Sequence, residues 1–250
     1  MGKFNGVAML VTSSGRDVNV EWALSLAAFQ YPVGMSVAWF LAKGKERGPQ
    51  RDALAEKALE IGAEFTMFLD DDTISPNYTI QQLHYQLCQH PDAAVCGGIY
   101  CTKATPPEPL VFKEIGAGVF WQWKLGEVFE CKGLGTGSMM IRTDVLNHIS
   151  KPWFVDTQTA PVGESENYNG IEMPICKRSG TDDLYFCKKV SDAGYKILAH
   201  GGVLPVHVDS EGKFYSLPLD SYPCKEYEKE IGEALKSGKT NLVFKSPSNN

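Results

Sequence analysis

The sequence predicts an α/β fold, with a mostly parallel central sheet flanked by helices and a less regular second half. Three observations predict it. Over the first hundred residues, short apolar runs alternate with amphipathic segments, the pattern of βαβ units. One of these runs, MSVAWFL (35–41), is continuously apolar at strand length, as suits a strand buried on both faces. Proline and glycine fall where helices should open and close.

In chain order, GVAMLVTSS (6–14) reads as the first strand, VEWALSLAAFQ (20–30) as the helix after it, and MSVAWFL as the second strand. GPQRDALAEKALEIG (48–62) has Pro49 near its first helical position, sets Leu54, Ala58 and Ile61 on one face, and stops at Gly62. EFTMFLDDD (64–72) is a strand running into acid. SPNYTIQQLHYQLCQ (75–89) is a helix with Ser75 as its cap and Pro76 behind it, and AAVCGGIY (93–100) resumes strand character. Beyond it the alternation decays. TKATPPEPLVF (102–112) is extended, and GVFWQWKLGEVFEC (118–131) looks like short antiparallel strands. SMMIRTDVLNHI (138–149) reads as strand and helix, DDLYFCKKVSDAG (182–194) as a helix, and YKILA (195–199) as a strand. Between them, 156–180 is a long irregular segment of the kind that serves as a lid or binding loop. A charged helix, CKEYEKEIGEALKSG (224–238), precedes a polar tail. The whole of 1–250 is expected to be a single domain, with a ligand-binding half to about residue 100, a second half to about 222, and then the final helix and tail.

Composition excludes several classes. A formal charge of −6 and a pI near 5.4 lack the basic excess of a protein whose main affinity is for a phosphate backbone. No run approaches the roughly 20 apolar residues of a membrane span, and MGKFNGVAML lacks a signal-peptide layout, so a soluble, cytoplasmic protein is expected. The seven cysteines contain no C-x-x-C pair, which signals neither a zinc ribbon nor a disulfide framework.

The conspicuous feature is FLDDDTI (68–74), where three consecutive carboxylates close an apolar run. Unpaired charge beside a core is costly, so a cation is expected there unless the triplet is a solvated turn. On a strand, Asp70 and Asp72 point the same way and Asp71 the other. Carboxylates two apart suit a hard divalent cation, whose remaining shell comes from water and substrate phosphates. Acids gathered ahead of a helix N-terminus are the plainer alternative.

An apolar strand ending in Asp-x-Asp, preceded by RDALAEKALEIGAEF (51–65), resembles the DxD region of GT-A glycosyltransferases. Three later segments are similar to the same family, in the same order. GLGTGSMMIRTDVL (133–146) resembles the glycine-containing strand beside the donor sugar. GTDDLYFCKKVSDAGYKI (180–197) resembles the family's acidic helix start, usually Glu-Asp and here Asp182-Asp183. LPVHVD (204–209) resembles the segment that supplies a histidine to the metal. The likeness is greatest to the small enzymes of phages and microbes, which implies a host cytoplasm for a phage protein.

The resemblance implies a Rossmann-like GT-A fold and transfer of a sugar from a nucleotide-diphosphate sugar, a UDP-sugar first among donors. Mn²⁺ or Mg²⁺ is the implied cofactor. Asp72 becomes the leading metal ligand, Asp70 sits by ribose or metal, Asp71 lies on the donor side, and His207 completes the shell, with His200 in competition. Asp183 becomes the base of a direct, inverting displacement, and Asp182 orients it or binds acceptor. Arg51 adds charge at the phosphates or holds the aspartates in place. Thr12, Ser13 and Ser14 fall where the family binds the nucleoside, and Gly135 and Gly137 permit close approach to the sugar or mark only a turn. Trp121, Trp123 and Trp153 lie in the half expected to bind acceptor, and buried packing is the alternative use for them. The acceptor is open among glycan, lipid, protein and modified DNA base. Two other classes share the residues: a haloacid-dehalogenase-like phosphatase and a catalytically silent nucleotide-sugar or glycan binder. The phosphatase motif normally lies on a first strand and continues to Thr or Val, where this chain has two βα units ahead and Ile74.

Overall fold

Alternation along the central strands divides the molecule into two cores. Val7, Met9 and Val11 face one side of the first strand and Ala8 and Leu10 the other, all of them buried. The computed structural model describes residues 4–44, 46–155, 157–158, 165–168, 171–174 and 178–217. The expected helix at 224–238 and much of 156–180 lie outside the described residues.

The elements are β1 (Phe4–Ser13), α1 (Val20–Ala27), β2 (Ser36–Lys43), α2 (Arg47–Glu60), β3 (Ala63–Asp70), β4 (Thr73–Ile74), α3 (Thr79–Gln89) and β5 (Ala93–Gly98). There follow β6 (Val111–Phe112), β7 (Val128–Cys131), β8 (Gly133–Leu134), β9 (Ser138–Arg142) and a 3₁₀ turn, Thr143–Asn147. Short strands β10 (Thr157–Gln158), β11 (Ser165–Tyr168), β12 (Ile171–Pro174) and β13 (Arg178–Gly180) lead to α4 (Asp182–Asp192), β14 (Lys196–His200), β15 (Val206–Val208) and β16 (Phe214–Tyr215).

The main sheet has seven strands in the order β2-β1-β3-β9-β5-β14-β7. β1 runs parallel to β2 and β3, and β5 to β14; β9 is antiparallel to both of its neighbours, and β7 to β14. All but β9 and β7 therefore share one direction. α2 and α4 cover one face through Leu54, Ala55, Ala58, Phe186 and Val190; α1 and α3 cover the other through Trp22, Ile80, Leu83 and Leu87. The strand ends that carry chemistry in such sheets lie beyond their carboxyl termini, where β1 and β3 finish side by side at Thr12 and Asp70.

Three expectations are corrected. β2 is an edge strand, with Trp39 and Leu41 44% and 57% exposed, so its apolar run is not buried on both faces. Ser75 does not cap α3, which starts at Thr79; its hydroxyl donates to Ser138 Oγ at 3.0 Å and ties β3's exit to β9. Of 118–131, only Val128–Cys131 forms a strand. The cysteines within the described residues are free thiols, and all but Cys88 are buried.

A second, three-stranded sheet, β16-β15-β4, sets the position of the site. β4 begins shortly after β3 ends, and β15 pairs with it antiparallel so that His207 sits opposite Thr73. The Val208 amide donates to the Asp72 carbonyl at 2.8 Å. Strand pairing thus carries a residue from late in the chain to the acidic turn.

Candidate active site

All three acids are buried: Asp70, Asp71 and Asp72 are 3%, 4% and 4% exposed. A solvated turn is thereby ruled out, and the cations that neutralise the triplet are side chains of the protein itself. Arg51 Nη2 meets both Asp70 oxygens, at 2.8 and 3.0 Å, and its Nη1 donates to Asp182 Oδ2. Arg47 spans Asp70 and Asp72, at 3.5 and 3.2 Å. Arg16 spans Asp71 and Asp72, at 3.5 and 3.2 Å, and Lys103 Nζ reaches Asp72 Oδ2 at 2.7 Å. β3 ends at Asp70, and Asp71 and Asp72 form the turn that follows, so the strand alternation expected across the triplet does not extend past Asp70, and Arg16 reaches the neighbouring Asp71 and Asp72 together.

The first strand frames the cluster. Thr12 donates its hydroxyl to Asp70 Oδ1 at 2.7 Å, and Ser14 N–H donates to Asp71 Oδ2 at 3.3 Å. Ser13 N–H donates to Gln50 Oε1 at 3.2 Å, while Gln50 Nε2 donates to the Gly44 and Glu46 carbonyls and so braces the loop into α2. Trp22 Nε1 donates to the Asp70 carbonyl at 2.9 Å. A cavity of about 270 Å³ opens beside Asp71 and Asp72, bordered by Arg16, Asn19 and the turn at 208–212.

Asp72 and His207 present a distinct chemistry. His207 Nδ1 lies 2.6 Å from the Cys101 carbonyl, which can only accept, so Nδ1 carries the proton and Nε2 a lone pair. Burial lowers the His207 pKa, in spite of Asp72 nearby, and favours that neutral ring. Nε2 then faces Asp72 Oδ1 at 3.8 Å, two electron-pair donors too far apart for a hydrogen bond. A carbonyl fixing one nitrogen of a metal-facing histidine is a common outer-shell device. Among the described residues no group of three His, Cys, Asp or Glu gathers closely enough to cage a metal. Asp72 Oδ1 and His207 Nε2 are one oxygen and one nitrogen donor facing each other, a pair that a hard divalent cation could use only with water and phosphate completing its shell. Burial pushes the Asp72 carboxyl up, but the Lys103 hydrogen bond and the Arg47 charge outweigh it and hold it at about 2.

Both Asp70 oxygens are engaged by Arg51, Thr12 and Arg47, whereas Asp72 keeps one oxygen, Oδ1, clear of basic side chains. Arg51 is 2% exposed and holds the aspartates; it does not lie open to a phosphate. His200, at the end of β14, accepts the Gly202 N–H on Nδ1 at 3.0 Å, and it is His207 that faces Asp72. Asp182 and Asp183 open α4, where the helix dipole favours acids. Burial raises the Asp183 pKa, partly offset by the Thr181 hydroxyl and Arg51; its Oδ1 accepts from Thr181 and, at 2.8 Å, from Leu184 N–H.

Gly135 and Gly137 are required by Tyr100. Its phenol oxygen accepts the Gly137 N–H at 2.9 Å, and its ring stands edge-on to His207 with centroids 4.8 Å apart. A Cβ on Gly135 would lie 2.3 Å from that oxygen. Gly135→Ala is accordingly expected to lose about 1–3 kcal/mol through overpacking. Urea denaturation checks it, and an unchanged midpoint would mean that Tyr100 moves freely.

The tryptophans divide. Trp123 and Trp153 are 0% and 2% exposed, core residues that present no face to an acceptor, and Trp153 Nε1 donates to the Leu146 and Ile149 carbonyls. Trp121 is half-buried against the core. Sequence reasoning missed Arg16, Arg47, Lys103, Tyr100 and Gln50. A signal for Arg47 was present, since arginines at 47 and 51 share a face in the opening of α2, where both the dipole and mutual repulsion disfavour them.

A solved structure of A197 from STIV is similar over 84% of this chain and 93% of that one, at TM-score 0.57 and 16% identity. S. aureus TarS 1–349 in complex with UDP-GlcNAc matches 95% of this chain and 68% of that one, at TM-score 0.43 and 14% identity. The longer S. aureus TarS chain matches at TM-score 0.44 and 12% identity, with 40% of its length covered. No protein-family model and no curated protein sequence matches the chain. The mostly parallel sheet with its inserted antiparallel strand, together with the likeness to A197, gives the chain a GT-A-type fold.

Proposed function

From a GT-A fold as premise, we propose that the protein moves a sugar from a nucleotide-diphosphate sugar to an acceptor hydroxyl, by direct inverting displacement with Asp183 as base. The observation that carries this reading is the pairing of Asp72 Oδ1 with a neutral His207 Nε2 beside three basic side chains, at the carboxyl end of β3. Asp72 and His207 would hold Mn²⁺ or Mg²⁺, whose chemistry when bound is Lewis-acid neutralisation of the diphosphate. Lys103, Arg47 and Arg16 converge on Asp72 Oδ2 with between 27% and 45% of their side-chain surface exposed, and are free to turn toward phosphate oxygens. Thr12, Ser13 and Ser14 border the nucleoside side of the same cluster.

In the transfer, the acceptor oxygen bonds to the anomeric carbon as the bond to the diphosphate breaks. The electron pair departs with the phosphate, and the acceptor proton passes to Asp183. Burial strengthens that carboxylate as a base. In the phosphatase alternative the nucleophile would be Asp70, whose oxygens are already engaged by Arg51 and Thr12, and this favours the transferase reading. Among the described residues no helix is long and apolar enough to cross a membrane.

A thermal-shift panel of UDP- and GDP-sugars, each with Mn²⁺ and with chelator, tests the reading. A donor at 100 times its Kd adds about 2.7 kcal/mol, which is several degrees of Tm in a domain of this size. One donor is expected to raise Tm only with metal present. No shift with any pairing overturns the assignment, and binding with neither donor hydrolysis nor transfer favours a silent binder.

A further inference from the structure

We infer that Arg51 is a positioning residue, whose fork fixes the acidic end of β3 to the first turn of α4 and so sets where the base stands relative to the donor-holding acids. The inference rests on the transferase reading above and deepens it.

Arg51 joins three elements that the main sheet alone does not lock together. It rises from α2, grips both oxygens of Asp70 at the tip of β3 with Nη2, and donates through Nη1 to Asp182 on α4. All three residues are at most 5% exposed. Asp70 is itself immobilised by the Thr12 hydroxyl and, through its carbonyl, by Trp22. A motion of α4 would therefore have to break a buried ion pair. Asp183 follows Asp182 directly, and Asp72 follows Asp70 after one residue. The guanidinium bridge is thus the short route between the acid facing His207 and the proposed base.

Geometry favours arginine here. A planar fork presents separate N–H groups to two carboxylates in different directions, whereas an ammonium ion offers a single point charge. Of the two carboxylate charges, one is matched by Arg51; Arg47 at Asp70 and the N-terminus of α4 at Asp182 offset the other. The guanidinium spends its fork on Asp70 and Asp182 and leaves Asp72 to Lys103, Arg47 and Arg16, so a defect in it should leave donor affinity standing and spoil alignment for transfer.

The test compares wild type, Arg51→Lys, Asp182→Asn and the double variant on the donor identified by the thermal-shift panel, reading donor KM and kcat separately. Lysine keeps the charge and loses the fork; asparagine keeps the shape of Asp182 and loses its charge. Each single variant is expected to keep the metal-dependent Tm rise and a donor KM within about 3-fold, and to lose about 100-fold in kcat, the scale of a roughly 1 Å misplacement. The double variant should be no worse than either single one, because both act on the same bridge: lysine removes the fork, and asparagine leaves a neutral acceptor where an ion pair stood. Wild-type kcat in Arg51→Lys overturns the inference, as does a loss confined to donor KM or losses that multiply. If wild type neither hydrolyses nor transfers from any donor, the transferase reading falls first and the positioning role with it; an active wild type with an unaffected Arg51→Lys removes the positioning role alone. Arg51→Lys that fails to fold is answered by Asp182→Asn, whose wild-type kcat would overturn the inference by itself.

Discussion

Asp183→Asn should still be stabilised by donor and metal, yet transfer about 10²–10⁴ times more slowly, the usual worth of a positioned base. Asparagine keeps an oxygen for the Leu184 N–H that Asp183 Oδ1 accepts at 2.8 Å, so the first turn of α4 is preserved. What it lacks is the capacity to take a proton. The pH dependence gives an independent check. Burial, resisted by Thr181 and Arg51, raises the Asp183 pKa above the ordinary carboxylate value. Protonated Asp183 is inert as a base, so wild-type kcat/KM falls as pH drops through that raised value. The acid limb therefore lies above the range near about 3.9 where a free aspartate titrates. It should vanish from the residual activity of the asparagine variant. Full transfer by Asp183→Asn would remove the residue from the mechanism.

Asp72→Ala should abolish the metal-dependent rise in Tm for every donor and leave transfer undetectable. It strips the oxygen facing His207 and the one on which Lys103, Arg47 and Arg16 converge. The substitution also has a cost in stability whose sign follows from titration. Burial pushes this carboxyl up, yet the Lys103 hydrogen bond and neighbouring charges hold it at about 2, below its unfolded value. Its contribution is present above the unfolded pKa and disappears as pH falls through the folded one. At neutral pH the stabilisation is on the order of 2 kcal/mol, the free-energy equivalent of the gap between the folded and unfolded acidities. Urea melts at neutral pH should separate Asp72→Ala from wild type by this amount, and the gap should close as the solution is acidified toward the folded pKa. An unchanged donor-dependent Tm rise in the alanine variant would defeat the assignment.

The regular half of the molecule was legible because its signals are local. The apolar runs of β1, β3 and β5 and the faces of α2 and α4 depend on residues within a few positions of one another, and they fall where the pattern puts them. The depth of a strand within its sheet is not local, which is why the apolar 35–41 run reads as central although β2 lies at the edge. The site shows the same division. Acids at a strand end announce a cation, but not which one. That Arg51 answers Asp70, while Asp72 Oδ1 faces a histidine lone pair with the Thr73 hydroxyl beside it at 3.4 Å, depends on α2, α4 and β15 meeting around one turn. Trp123 and Trp153 mislead for a related reason. An indole large enough to stack on a sugar is equally large enough to fill a core, and only the packing decides between them.

The pairing of β15 with β4 means that the acidic turn reaches its finished form only after almost all of the described chain has been made. A growing polypeptide that has emerged as far as β9 carries every aspartate of the triplet but neither the imidazole nor the carboxylates of α4. Such an intermediate has no His207 to face Asp72 and no Asp182 for Arg51 to hold, so the full arrangement around that turn forms only once β15 has emerged.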